Sequence, residues 1–491
     1  MPNKHISIQK FKISIMAFLS LVIFYILYPG SESLNHQSLE RLILILSWVG
    51  ILELVYIFQT WRNITKKYIS LYTMFMSFFF LFNFGQSFLW AFDIHIEGEV
   101  GSTNLYYYLR VPENIHIVQT QLLVLISGFM IHFGAILFKR RITANCELQL
   151  SQIVSNISDK QKMMFKFSKT IAPIVFFSKF YNLFINYRNA QMFGYTALYY
   201  NPDVVGANVI FKIIARLFLP VLVGLLLGSG YNSKVVKFAY IVFGINIGLS
   251  VLIGERGGWI YALLILIICH HYYYRKIRLK QFVFVSALIT LVMYISVAVV
   301  TVRNRGVSID KMMSVISSLE INPLISSIFS IGRTMGVTTV LVMNGWDIFP
   351  YGNTFFYGLL IAPSKRIIDI LGLNYVSVGS WLSHEYLGIS NGAGFSIVAE
   401  VMINYGPYLL PFFMVIFGMF IYWVTDIENK NPNVETSKII FSIITTAVII
   451  NISRNVFTYN VGEIIYTTIQ FFVYYKVFEM FFFRSLASKR V

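Results

Sequence analysis

His116–Arg141 reads HIVQTQLLVLISGFMIHFGAILFKRR. From 116 to 138 the run is apolar and long enough to cross a bilayer, which takes on the order of 20 residues. It ends at the cationic cluster Lys139, Arg140 and Arg141. The same figure recurs along the chain. Apolar runs lie near 13 to 28, 42 to 60, 69 to 92, 116 to 138, 167 to 187, 209 to 228, 236 to 253, 257 to 273, 281 to 302, 407 to 425, 438 to 453 and 462 to 483, which predicts about twelve spans. Hydrophobic residues make up 57% and charged residues 12%, and mean hydropathy is +0.67, whereas soluble domains carry about 25% charge.

Basic residues orient these spans. Lys4, Lys10 and Lys12 precede the first; Arg62, Lys66 and Lys67 follow the second; Lys160 and Lys162 extend the cluster after the fourth. Lys234, Lys237, Arg275, Lys276, Arg278, Lys280, Arg484, Lys489 and Arg490 continue the alternation. Every second loop is basic, the positive-inside pattern, which predicts that both termini are cytoplasmic. The loop with Asp93, Glu97, Glu99 and Glu113 falls outside. The net charge of +17 is therefore topology and contact with anionic membrane lipids, with no call on nucleic acid. Tyr28-Pro29-Gly30 follows the first span in place of a small-residue cleavage site, so that span reads as a retained anchor. Two cysteines, Cys146 and Cys269, supply neither a disulfide framework nor a metal cluster. No cofactor or metal is expected.

The fold class that follows is all-α: one polytopic integral membrane domain over 1–491, with a long outer loop at 303–391 and a short glycine-flanked helix at 392–407. The loop contains apolar stretches, 321 to 343 and 354 to 371, interrupted by Pro323, Gly332, Gly336, Pro350 and Pro363. These suit interfacial or re-entrant helices. Trp346, Trp381, Tyr351, Tyr357 and Tyr386 suit headgroup level.

Chemistry concentrates at the end of that loop. Gly392–Pro407 reads GAGFSIVAEVMINYGP, and Ser396, Glu400 and Asn404 recur every four residues, forming one polar stripe on a helix. A carboxylate at membrane depth costs about 2.5–3.5 kcal/mol on insertion scales, so Glu400 is a candidate general base. Its alternative is a snorkelling or capping carboxylate on an interfacial helix. His384-Glu385, in GSWLSHEYLG, is a second acid–base candidate. Cations are scarce outside. Arg256 sits in GERGG, Arg303 and Arg305 in RNRG, and Arg333 interrupts an apolar helix. Guanidinium forks grip phosphate oxygens, so these four suggest a lipid pyrophosphate. Arg454 and Lys365 read more simply as headgroup snorkels. Trp381 and Tyr405 are placed to stack on sugar faces.

GERGG after a span, RNRG opening the long loop, and GxGFSxxAExxxNYG closing it resemble the Wzy-type bacterial O-antigen and repeat-unit polysaccharide polymerases. The motifs cover residues 240 to 425, and the topology is similar throughout. No outer arginine here has a glycine eleven positions on, a spacing associated with such enzymes; Arg333 and Gly345 are twelve apart. The resemblance implies a glycosyltransferase of the bacterial inner membrane that uses neither nucleotide sugar nor metal. Its substrates would be undecaprenyl-pyrophosphate-linked oligosaccharides, and its partners a chain-length regulator and a flippase. The competing readings are a lipid-linked oligosaccharide flippase or transporter, an O-antigen ligase-type transferase, and a membrane acyltransferase built on His132.

Overall fold

The computed structural model describes residues 2–102, 111–139, 158–194, 206–253, 258–277, 309–317, 322–364, 366–389, 392–427 and 432–487, with a few single positions between them. Every regular element among these residues is helical. In chain order they are α1 (Pro2–Gly30), α2 (His36–Thr65), α3 (Leu71–Trp90), α4 (Asn114–Phe138), α5 (Asp159–Phe193), α6 (Val209–Ala215), α7 (Phe218–Gly228), α8 (Ser233–Ile253) and α9 (Gly258–Tyr273). There follow α10 (Ile309–Ser317), α11 (Pro323–Gly332), α12 (Met335–Asn344), α13 (Thr354–Ile361), α14 (Arg366–Leu371), α15 (Ile397–Thr425), α16 (Pro432–Ile449), α17 (Phe457–Ile464) and α18 (Gln470–Ala487).

Eight helical segments are long and apolar enough to cross a membrane. Seven of them, Ser7–Ser33, His36–Thr65, Asn114–Phe138, Val209–Gly228, Ser233–Ile253, Ile397–Thr425 and Glu435–Ser453, fall on expected spans. The eighth, Leu324–Asn344, lies in the stretch read above as interfacial or re-entrant. Its punctuation has other uses. Pro323 opens α11, where its missing N–H costs nothing, and Gly332 is a packing contact with α3. Of the other expected spans, α3, α5, α9 and α18 are helices with less apolar or shorter runs, and most of 281 to 302 lies outside the described residues.

The chain forms two compact units. The first comprises Met1–Ile142, Ser327–Glu428 and Val448–Gly462. Its centre is α4, which runs against α15, α2 and α1 and is buried on nearly every side. The α4 and α15 backbones touch at two glycines. A Cβ on Gly134 would collide with the Val415 carbonyl, and one on Gly418 with the Ile131 carbonyl. Small residues at such crossings let backbones approach, the main source of helix association where lipid removes the hydrophobic driving force. α3 is strongly apolar and buried on nearly every side, with Phe75, Phe79, Phe80, Phe82 and Phe84 at the core. His132 bridges α2 and α3: one ring nitrogen lies 2.7 Å from the Thr60 hydroxyl and the other 2.9 Å from the Tyr72 hydroxyl. It is a packing residue with both nitrogens in use, which leaves an acyltransferase reading nothing to build on.

The second unit comprises Thr143–Ser326, Asn429–Ala447 and Glu463–Val491. α5 starts at a Ser158–Gln161 capping box and packs on α7, where Gly228 lies against the Phe165 backbone. The Phe167 and Phe471 rings meet edge to face at 5.3 Å, tying α18 to α5. Arg216 pairs with Glu463 at 3.1 Å.

Candidate functional site

The polar stripe of α15 organises a buried centre in the first unit. Ser396 is the N-cap: its hydroxyl oxygen accepts from the backbone N–H groups of Val398 at 3.1 Å and Ala399 at 3.2 Å. That satisfies two of the orphan donors that every helix start carries. One turn on, Glu400 is completely buried. The Thr354 hydroxyl donates to its Oε1 at 2.8 Å, and the Phe457 backbone N–H donates to its Oε2 at 2.7 Å. Thr354 and Phe457 are the first residues of α13 and α17. Glu400 thus sits between two helix N-termini, where peptide dipoles present positive partial charge.

Asn404 completes the arrangement. Its Oδ1 accepts the Thr354 backbone N–H at 2.8 Å, while its Nδ2 donates to the Thr354 hydroxyl at 2.8 Å and to the Glu400 carbonyl at 2.6 Å. Asn353 caps the next two N–H groups of α13. Two residues after Asn404, at Gly406, the helix breaks with φ 74°. Only glycine takes that conformation without strain. The Trp346 ring lies 3.3 Å from where a Cβ would stand, and Pro407 restarts the helix. A Cβ on Gly358 of α13 would lie 2.7 Å from the Thr458 hydroxyl, so α13 and α17 are as closely packed as glycine permits.

His384 and Glu385 are exposed, in a wide helical turn over Trp381–Tyr386. They do not bond to each other. His384 Nδ1 lies 3.1 Å from the Ile389 carbonyl. A carbonyl only accepts, so Nδ1 is the donor in this contact, and in the neutral ring the lone pair lies on Nε2. Glu385 accepts the Tyr351 hydroxyl at 2.8 Å, and that acceptor holds the Tyr351 proton above the ordinary tyrosine range. The pair therefore stays a phenol donating to a carboxylate, with the second carboxylate oxygen unused by this contact. Trp381 is buried, packed between Phe349 at 5.2 Å and Tyr386 at 5.1 Å.

Of the expected pyrophosphate residues, Arg333 is exposed in the turn between α11 and α12; Arg256, Arg303 and Arg305 lie outside the described residues. The structure brings Ser396, Glu400 and Asn404 together on one helix, and holds His384, Glu385 and Trp381 in the same unit. Thr354 and the Phe457 backbone were missed by sequence reading. An Asn-Thr pair before an apolar run signals a helix start, yet nothing local names its partner 46 residues away. Among the described residues, no three His, Cys, Asp or Glu side chains gather to hold a metal.

A bundle of membrane-length helices with an unexposed carboxylate at the start of one of them defines a multi-pass membrane protein with a built polar site. Over residues 10–484 the chain matches the family described as O-antigen polysaccharide polymerase Wzy, and it belongs to that family. No curated protein and no solved structure matches the chain. Membership places it in polysaccharide biosynthesis, as a membrane glycosyltransferase acting on lipid-linked oligosaccharide repeat units.

Proposed function

We propose that the protein transfers a glycan from undecaprenyl pyrophosphate onto the non-reducing end of another lipid-linked repeat unit, at the outer face of the bacterial cytoplasmic membrane. The family match across nearly the whole chain carries this reading. The built site at the GFSIVAE segment supports it. In the transfer, the acceptor hydroxyl oxygen bonds to the anomeric carbon as the bond from that carbon to the phosphate oxygen breaks. The electron pair leaves with the pyrophosphate, and the hydroxyl proton goes to a base.

Arg256, Arg303, Arg305 and Arg333 stabilise the charge that develops on the leaving group, work that fixed guanidinium groups perform without metal. Of the proton-transfer candidates, His384 through Nε2 and Glu385 are exposed and offer lone pairs to an acceptor. Glu400, with both oxygens engaged, holds α13 and α17 in place for the reaction; Ser396 and Asn404 serve the same frame. Trp381 backs the aromatic wall that Tyr386 and Tyr351 present to the sugars. A flippase delivers the repeat units, and a chain-length regulator limits the product.

The test is deletion of the gene in its host, with surface and lipid-linked glycans separated on a gel and complementation by wild type and Arg256→Ala. Loss of the polymer ladder, with single repeat units still reaching the surface, and rescue by wild type alone are expected. Accumulation of units on the cytoplasmic leaflet would instead make the protein a flippase. Long polymer held on its carrier lipid would make it a ligase.

A further inference from the structure

Glu400 fixes the first residues of α13 and α17, and both helices lie against the segment that carries His384 and Glu385. On the α13 side, the Tyr357 ring stacks on that of Tyr375, with centroids 4.9 Å apart and planes 25° apart. Tyr375 in turn meets Phe349 edge to face at 6.5 Å. Phe349 passes the contact on: its ring meets Trp381 at 5.2 Å, and at 5.6 Å it meets Tyr351, whose hydroxyl donates to Glu385. On the α17 side, a Cβ on Gly379 would lie 3.1 Å from the Val456 side chain, next to Phe457. The Thr458 hydroxyl stands beside that of Tyr375. Tyr375 therefore lies against both arms of the Glu400 frame, and all of these residues belong to the first unit.

Tyr375 sits in the irregular stretch 373–377 that leads into the wide turn. It is only 6% exposed. Two residues on, the Ser377 hydroxyl caps the Ser380 N–H at 3.4 Å, so the path of the chain into Trp381 is set close to Tyr375. The contacts are made by the ring. The buried hydroxyl has no hydrogen-bond partner, because Thr458 lies beside it outside bonding geometry. Burial pushes the phenol up to about 12, eased by Thr458 and reinforced by Glu400 and Tyr357. At neutral pH the side chain acts on its neighbours as an uncharged ring.

We propose that Tyr375 is a positioning residue for the turn Trp381–Tyr386. Its ring seats the turn on the frame that Glu400 joins, and through Phe349 it sets where Glu385 and His384 stand. Misplacing a reacting group by about 1 Å can cost on the order of 10²-fold in rate. A side chain with no substrate contact thus governs turnover. The assignment of acid–base chemistry to the turn rests on the polymerase reading; the seating of the turn does not.

The experiment compares Tyr375→Leu, Tyr375→Phe and Gly418→Ala in the purified full chain in nanodiscs. Gly418→Ala strains the α4–α15 crossing and controls for general destabilisation. Amide hydrogen exchange is read over 382–393, where the N–H of Leu387 bonds to the Leu382 carbonyl and those of Ile389 and Ala393 bond to Ser383. Tyr375→Leu is expected to speed exchange there by about tenfold or more. With lipid-linked repeat units its kcat should fall by about tenfold or more while KM stays within about twofold of wild type. Tyr375→Phe, which keeps the ring, should retain wild-type exchange and kcat, and Gly418→Ala should leave both unchanged while lowering Tm. Wild-type exchange over 382–393 in Tyr375→Leu overturns the proposal. So does equal acceleration in Gly418→Ala, a loss carried by KM alone, or a Tyr375→Phe variant as impaired as Tyr375→Leu. If exchange accelerates in Tyr375→Leu while deletion of the gene leaves the polymer ladder intact, the polymerase reading fails and the seating of the turn stands. If the ladder depends on the gene but Tyr375→Leu exchanges and turns over as wild type, the positioning role fails and the polymerase reading stands.

Discussion

The Thr354 hydroxyl donates to Glu400 Oε1 at 2.8 Å, joining the first residue of α13 to the first turn of α15. With the Phe457 N–H on the other oxygen, one carboxylate joins three helix starts. A buried carboxylate is expensive unless hydrogen bonds replace its water. Here one donor is a backbone N–H that cannot turn away, and the other is a hydroxyl already accepting from Asn404.

Glu400→Gln is therefore expected to destabilise the protein. An amide offers one acceptor and one donor group, so it can satisfy the Phe457 N–H only by leaving the Thr354 proton without an acceptor. An unmet buried group costs about 1–3 kcal/mol. Thermal unfolding of the purified variant in detergent should show a lower Tm, with Thr354→Val shifted in the same direction. The double variant should lose less than the sum, because the two residues share one bond. An unchanged Tm with lost polymer would return Glu400 to direct chemistry.

The α4–α15 crossing makes a second prediction. Gly134→Ala and Gly418→Ala each place a methyl group into the facing carbonyl, and the helices must part. Overpacking of this kind costs about 1–3 kcal/mol. Gly244 and Gly248 of α8 have nothing within 4 Å of a new Cβ. There the same change should be neutral or stabilise by up to about 1 kcal/mol through helix propensity. Tm values of the four variants separate the two cases.

Gly406→Ala is expected to disturb the site without touching its polar groups. The residue has φ 74°, and holding a non-glycine residue in so sparsely populated a conformation costs about 1–3 kcal/mol. The new methyl would also press on Trp346. Lower Tm together with reduced polymer is the outcome that fits; full polymer at wild-type Tm would show that the break is dispensable.

Seven of the eight membrane-length helical segments were legible because burial in lipid or protein demands long apolar runs, and α4 announces itself with its basic stop at Lys139; Leu324–Asn344 was not, because Gly332 and Arg333 interrupt its run. The four-residue spacing of Ser396, Glu400 and Asn404 likewise put them on one helix. Their hydrogen-bond partners were not legible. Ser396 caps the start of α15, which residue type alone does not announce because capping depends on where the helix begins. Gly332 reads as a break and is a close contact with Gly85, since glycine serves both purposes. The partners of Glu400 come from residues 354 and 457, pairings that no local pattern encodes.

Glu385 and His384 provide the sharpest contrast with Glu400. Both are exposed, so Glu385→Gln and His384→Gln should leave Tm unchanged. If either side chain takes the acceptor proton, its loss should lower polymer synthesis by about 10²–10⁴-fold, the usual worth of general acid–base catalysis. Tyr351→Phe supplies the control, removing the hydrogen bond that orients Glu385 while leaving the carboxylate in place. It should reduce the rate by less than Glu385→Gln. Synthesis measured with membranes and lipid-linked repeat units decides between the two residues. If both variants polymerise at the wild-type rate, the proton leaves by another route, and the wide turn at 381–386 serves binding alone.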